Sequence, residues 1–152
     1  MIKYIKGDLL NTEATCIVHG CNCQGRMASG VAKVMREKYP EVYNAYLELY
    51  TNLGNKLPLG YTQMVVIHDI KLVFNAMTQE FYGRDGKRYI DYEAIRSCLR
   101  MIDIDYEIPY RTKIAMPKIG AGLGGGDWKI IEQIINEELK DYEVLVYELW
   151  RN

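Results

Sequence analysis

A three-layer α/β/α domain, with helices on both faces of a mixed central sheet, is the fold class that this sequence predicts. Three observations carry the prediction. Short apolar, β-branched runs alternate along the chain with longer segments of helical periodicity. Two glycine-bearing segments stand where a predicted strand gives way to a predicted helix. The 152 residues, 49% of them hydrophobic, suffice for one sizeable core, and no repeat, linker or low-complexity tract divides them. Residues 1–152 therefore read as a single domain.

The elements follow in order. Residues 2–6 form a first strand, ended by Gly7-Asp8, and residues 15–19 a short buried strand. Residues 21–29 are a polar loop whose Ser29 is placed to cap a helix over 30–39, with Val31, Val34, Met35 and Tyr39 inward. Pro40 opens a second helix through residue 50, with Val42, Tyr46 and Leu49 on one side. A turn at 52–55 precedes two strands, 61–68 and 71–77, joined tightly around Asp69. Residues 78–89 are a polar loop. Residues 91–104 carry Ile95, Cys98, Leu99 and Ile102 on one helical face. A strand at 114–116, a helix over 128–139 and a last strand over 143–149 complete the domain.

The segment between the 114–116 strand and the 128–139 helix is the most informative. Five of the seven residues 120–126 are glycine. Asp127 is placed to cap the helix that follows. Such a loop frees backbone N–H groups and lets a ligand approach the main chain, and the helix dipole adds partial positive charge, so an anion such as phosphate is the natural guest. The residues Gly120-Ala-Gly-Leu-Gly-Gly125 match the dinucleotide fingerprint literally, but only one helix and one strand remain after them, where a Rossmann unit would place its loop early. No Gly-Lys-Ser/Thr follows, which excludes a P-loop.

Composition narrows the function classes. A net charge of −1 without a basic run argues against tight nonspecific nucleic-acid binding. No apolar stretch is long enough to span a membrane, and the first residues are too polar for a signal peptide. Cys16, Cys21, Cys23 and Cys98 are expected as free thiols of a cytoplasmic protein. Cys16, His19, Cys21 and Cys23 fit no usual zinc spacing, so neither a metal nor a cofactor is expected. Oligomeric state is not legible.

The second glycine-bearing segment is His19-Gly-Cys-Asn22-Cys-Gln-Gly25-Arg-Met-Ala-Ser-Gly30-Val-Ala32. Two such loops beyond strand C-termini could close over one phosphorylated ligand. At this point nearly the whole chain resembles the macro domain family, whose members bind ADP-ribose. Gly7-Asp8-Leu9-Leu10 resembles the family's early Gly-Asp motif, which implies that Asp8, with Leu9 beside it, recognises adenine. Residues 17–22 resemble the strand ending in Asn-Ala-Ala-Asn. His19 stands for the first asparagine and Asn22 for the second, which holds the distal ribose. Gly30-Val31-Ala32 resembles the helix start over the diphosphate. Gly120, Ala121, Gly122, Leu123 and Gly124 resemble the second phosphate loop, and Tyr147 matches an aromatic near adenine.

Departures from the family pattern discriminate among its activities. The branch that removes ADP-ribose through a lysine at the end of the central strand has its counterpart here at Gln79, which cannot form a Schiff base. The aspartate after Gly-Leu in the branch hydrolysing protein adducts is here Gly124. The surroundings of Asn22 and Trp128 are instead similar to the yeast-type ADP-ribose 1''-phosphate phosphatases. Common phosphatase signatures are missing, since no cysteine has arginine six residues on and Asp103-Ile-Asp105 lies at the end of a predicted helix. The implied chemistry is attack by water on the 1''-phosphate, with His19, Asn22 and Asp127 as candidate catalytic groups. Arg84 or Lys87 could reach a terminal phosphate, and Phe81 or Tyr82 could stack on the ligand. The competing readings are a noncatalytic ADP-ribose-binding module and an ADP-ribosyl hydrolase working without the lysine. The expected partner is ADP-ribose or ADP-ribose 1''-phosphate.

Overall fold

The computed structural model describes residues 2–27, 30–68, 71–83, 85–122 and 124–148. The expected Ser29 cap, the turn at Asp69, Arg84, Leu123 and the last strand's Leu149 lie outside the described residues. The strands are β1 (Ile2–Lys6), β2 (Cys16–Asn22), β3 (Thr62–His68), β4 (Lys71–Gln79), β5 (Lys113–Pro117) and β6 (Glu143–Glu148). The helices are α1 (Gly30–Lys38), α2 (Pro40–Asn52), α3 (Tyr92–Ile104) and α4 (Trp128–Glu138). A single turn of 3-10 helix, Leu9–Asn11, follows β1.

The sheet has the order β1-β6-β5-β2-β4-β3. Every neighbouring pair is parallel except β3 with β4, which form an antiparallel hairpin at one edge. Period-two alternation sends successive side chains to opposite faces. Val18, Phe74, Met116, Val144 and Val146 pack with the α3 and α4 residues Ile95, Leu99, Ile131 and Ile135. Ile17, Val73, Met77, Ala115 and Tyr147 pack with Met35 of α1 and with Val42 and Tyr46 of α2. These two cores are the inner faces of the three layers.

Local chemistry sets the helix boundaries. Asp91 caps α3, its carboxylate accepting the Ala94 N–H at 3.0 Å. Asp127 caps α4 through the Lys129 N–H at 2.9 Å. Pro40 takes the first position of α2, where no N–H is needed. Arg96 bridges to Glu137 and Glu138, and Arg100 to Glu138, which ties α3 to α4. Two strands run further than periodicity indicates. β2 continues through Asn22, and β4 through Gln79, with Thr78 as an extra residue in a bulge opposite Cys21 and Asn22. The expected loops at 21–29 and 78–89 are shortened accordingly. The pairing of β2 with β4 satisfies these backbone groups, and a single-strand pattern cannot register that gain.

His19 is not where a general base must be. It is fully buried on the α2 side of β2, and its Nε2 donates to Asn75 Oδ1 at 2.5 Å. The direction follows from Asn75, whose amide donates to Val42 O at 3.2 Å and to Gln63 Oε1 at 3.1 Å, leaving its oxygen to face the ring. Gln63 in turn donates to Ala45 O at 2.9 Å. The chain of bonds fastens α2 to β3 and β4. His19 Nδ1 has no hydrogen-bond partner. Burial lowers the imidazole from its ordinary 6.5 to about 4, with the Asn75 bond acting in the opposite direction. The role of catalytic base is therefore corrected to that of a neutral core residue.

A depressed histidine binds its proton in the unfolded chain first. Its contribution is present above pH 6.5 and is lost as pH falls from 6.5 towards about 4. We expect a loss on the order of 3 kcal/mol across that window. Urea unfolding at several pH values, with His19→Gln as reference, checks this. Parallel pH profiles for the two proteins would refute it.

Candidate functional site

Four neighbouring parallel strands end at one rim. Asn22 of β2, Gln79 of β4, Pro117 of β5 and Glu148 of β6 all line a single cavity of about 660 Å³, within the range of small-molecule sites. The chain leaves β2 for α1 on one face of the sheet and leaves adjacent β5 for α4 on the other. A crevice opens where the two connections diverge, as expected at a switch point of an open α/β sheet.

The glycine loop after β5 supplies one wall through Gly120, Gly122 and Gly124, and the start of α1 supplies another through Gly30, Val31 and Ala32. Gly120 has φ +79° and lies against Ile90, and its carbonyl accepts the Gly126 N–H at 2.8 Å. A β-carbon on Gly124 would stand 2.8 Å from Gly120 O and 3.1 Å from Gln79 Oε1. The family's alternative aspartate at that position has no room here. A β-carbon on Gly122 would meet nothing within 4 Å. The loop is thus folded tightly on itself and presents open backbone at Gly122.

Asn22 is 9% exposed and its amide is fixed on three sides. Oδ1 accepts from the Gln24 N–H at 2.9 Å and from the Tyr46 hydroxyl at 3.0 Å. Nδ2 donates to Arg26 O at 2.8 Å. The Tyr46 hydroxyl also lies 2.6 Å from Asn22 O, and burial pushes its phenol well up, so it remains a donor. Asn22 keeps one N–H for a ligand and has no basic atom with which to deprotonate water.

Of the residues expected from sequence, Asn22, Gly30, Val31, Ala32, Gly120, Gly122, Gly124 and Tyr147 line the cavity. His19, Asp127, Asp8, Leu9 and Ala121 are not among its lining residues. Asp127 spends its carboxylate on the α4 cap, and its own N–H donates to the Tyr92 hydroxyl at 2.9 Å. Leu9 as a whole is 2% exposed and packs in the core on the α1 and α2 side. Asp8 caps the 3-10 turn through the Leu10 N–H at 2.9 Å. That turn is tied to the cavity wall, because the Tyr147 hydroxyl donates to Thr12 Oγ1 at 2.8 Å.

Sequence reasoning left out Arg26, Lys118 and Glu148 and gave Gln79 and Tyr82 no firm place, yet all five line the cavity. The signal was available in part: Gln79, Lys118 and Glu148 are the last residues of parallel strands or the next beyond. Lys118 Nζ lies 3.6 Å from Glu148, and the Arg26 guanidinium lies over the Tyr82 ring at 5.8 Å from its centroid. Gln79 donates to Phe81 O at 2.7 Å, which fixes its carboxamide at the mouth. Cys21 also lines the cavity, but burial raises its thiol well above the usual range, so it is no thiolate nucleophile. Among the described residues no group of three or more His, Cys, Asp or Glu is placed to hold a metal ion.

A family model, curated relatives and solved structures match this chain. The Macro domain model matches residues 18–135. A phage T4 protein of uncharacterised role is 34% identical over 97% of this chain and 96% of its own. An ADP-ribose 1''-phosphate phosphatase of Debaryomyces hansenii is 30% identical over 90% of this chain and 93% of its own. A DNA ADP-ribosyl glycohydrolase of Mycobacterium tuberculosis is 30% identical over 97% of this chain, which spans 42% of that protein. The solved structure of a Bacteroides thetaiotaomicron protein of unknown function superposes with a TM-score of 0.84 at 33% identity, covering 98% of both chains.

The two glycines of the loop should part on substitution. Gly124→Ala should lose about 1–3 kcal/mol of stability by overpacking, and Gly122→Ala should lose none. Chemical unfolding of both variants checks this, and equal losses would contradict the loop geometry.

Proposed function

The chain belongs to the macro domain family, and from that premise we propose that its cavity binds ADP-ribose and hydrolyses the phosphate of ADP-ribose 1''-phosphate. The observation that carries the reading is the convergence of the Gly120–Gly124 wall, the start of α1 and the fixed Asn22 amide on one cavity at the strand ends. The open backbone at Gly122 and the first turn of α1 suit the diphosphate, whose charge the helix N-terminus favours. Asn22 suits the distal ribose. Tyr147, with Asp8 in the turn tied to it, suits adenine.

The reaction is a hydrolysis. A water oxygen attacks phosphorus, the bond from phosphorus to the C1'' oxygen breaks, and the products are ADP-ribose and orthophosphate. The water proton passes to the departing oxygen or to solvent. With His19 in the core and Asp127 on the α4 cap, the chain's contribution is positioning and stabilisation of developing charge by preorganised donors. The yeast relative supports the phosphatase reading. Gln79 argues against a lysine-dependent glycohydrolase. One observation favours a second reading, that of a noncatalytic ADP-ribose reader: both candidate bases are engaged in the fold.

We assign the protein to the cytoplasm on the strength of its four buried free thiols. Among the described residues no helix is long and apolar enough to cross a membrane. The balanced charge supports no tight nonspecific nucleic-acid binding.

Phosphate release from ADP-ribose 1''-phosphate, with calorimetric titration of ADP-ribose on the same preparation, tests the proposal. Turnover is expected. Gly122→Val should fold and lose ADP-ribose binding roughly a hundredfold, and Asp8→Ala should weaken it about tenfold. Binding without turnover would leave the reader, and undiminished binding by folded Gly122→Val would remove the loop from the site.

A further inference from the structure

We propose that Arg26 is the specificity-determining side chain for the 1''-phosphate, the group that distinguishes ADP-ribose 1''-phosphate from ADP-ribose; this rests on the reading of the preceding section. Of the two described cations that line the cavity, Lys118 faces the Glu148 carboxylate at 3.6 Å. Arg26 has no carboxylate partner among the described residues, and its guanidinium lies over the Tyr82 ring, 5.8 Å from the centroid. A cation resting on an aromatic face at a cavity mouth, without a counter-anion, is matched to an incoming dianion.

Its position relative to Asn22 is built into the fold. Asn22 Nδ2 donates to Arg26 O at 2.8 Å, so the residue suited to the distal ribose and this cation belong to one turn. The turn is held from several sides. The Gln24 N–H caps Asn22 Oδ1 at 2.9 Å, Gln24 Nε2 donates to Glu80 O at 3.0 Å, and the Cys23 N–H donates to the same carbonyl at 3.2 Å. Tyr46, fully buried in α2, donates to Asn22 from beneath. Met27, the residue after Arg26, is fully buried. The main chain at Arg26 is therefore set while its side chain is exposed on the cavity side. The 1''-phosphate is attached to the distal ribose. A ribose held by Asn22 brings that phosphate within the reach of a side chain on the same turn. A guanidinium can meet two phosphate oxygens at once.

The assignment differs from general diphosphate binding in what it predicts. Arg26→Gln keeps a polar side chain and the backbone bond to Asn22 but removes the charge. It should lower kcat/KM for phosphate release by roughly tenfold or more, and it should move the ADP-ribose Kd by less than about twofold. Arg26→Lys should recover part of the loss. In wild type, ADP-ribose 1''-phosphate should bind more tightly than ADP-ribose, and Arg26→Gln should abolish that preference even where turnover is too slow to follow. Equal loss of both ligands would make Arg26 a structural part of the turn and overturn the assignment, as would no loss of either, or equal wild-type affinities. A wild-type protein that binds neither ligand would instead overturn the reading on which the assignment rests.

Discussion

The parallel pairing of β2 with its two neighbours is the constraint on which the rest of the molecule depends. β2 sits inside the sheet between β5 and β4 and is buried on both faces. Ile17 and Cys21 face one helical layer and Cys16 and Val18 the other. Parallel strands require crossovers, and the crossovers from β2 and β5 lie on opposite faces. The divergence creates the crevice, and the common direction of the strands brings Asn22, Gln79, Pro117 and Glu148 to its rim. Reversing β2 would move Asn22 and the start of α1 to the far edge of the sheet.

Burial on both faces leaves little room for polar groups, and the few present are connected. His19, Asn75 and Gln63 form a line of hydrogen bonds that ends on carbonyls of α2. A second polar link, Tyr46 to Asn22, runs from the same helix to the cavity. α2 is thus fastened to the sheet by one set of bonds and aims a site residue by the other. Removing a single partner strands buried donors or acceptors, which costs more than the bond itself contributes. The orphaned His19 Nδ1 is the one unsatisfied buried side-chain atom among the described residues, and the depressed imidazole keeps it uncharged.

The cavity wall is written largely in backbone. Gly120 and Gly124 are required by close packing within the loop, with Ile90, Gln79 and Gly120 O as the neighbours, whereas Gly122 faces open space. A loop held by its own contacts presents its amides without reorganisation when an anion arrives. The acids that would be obvious catalytic candidates serve as caps: Asp127 holds α4, Asp91 holds α3 and Asp8 holds the 3-10 turn. The local chemistry that makes aspartate a good cap is satisfied within two or three residues, before any ligand is present.

Local information was enough for much of this. The elements, their order, the cap at Asp127, and the glycine-rich loop between the 114–116 strand and the helix after it were all legible, because periodicity and capping act over a few residues. The motif order also carried the family. Periodicity did not show the extension of β2 and β4 to Asn22 and Gln79, since it depends on pairing between residues more than fifty positions apart. His19 shows the same limit. A histidine at a strand end reads equally as base or core residue, and only the placement of α2 over β2, with Asn75 alongside, decides for the core. Arg26 and Lys118 look alike as cations in polar loops. Each lies over a tyrosine ring, and only the tertiary structure sets the Glu148 carboxylate beside Lys118 and, among the described residues, none beside Arg26. Sequence specified which groups exist and which local bonds they prefer, and the sheet's long-range register decided which of them share a cavity.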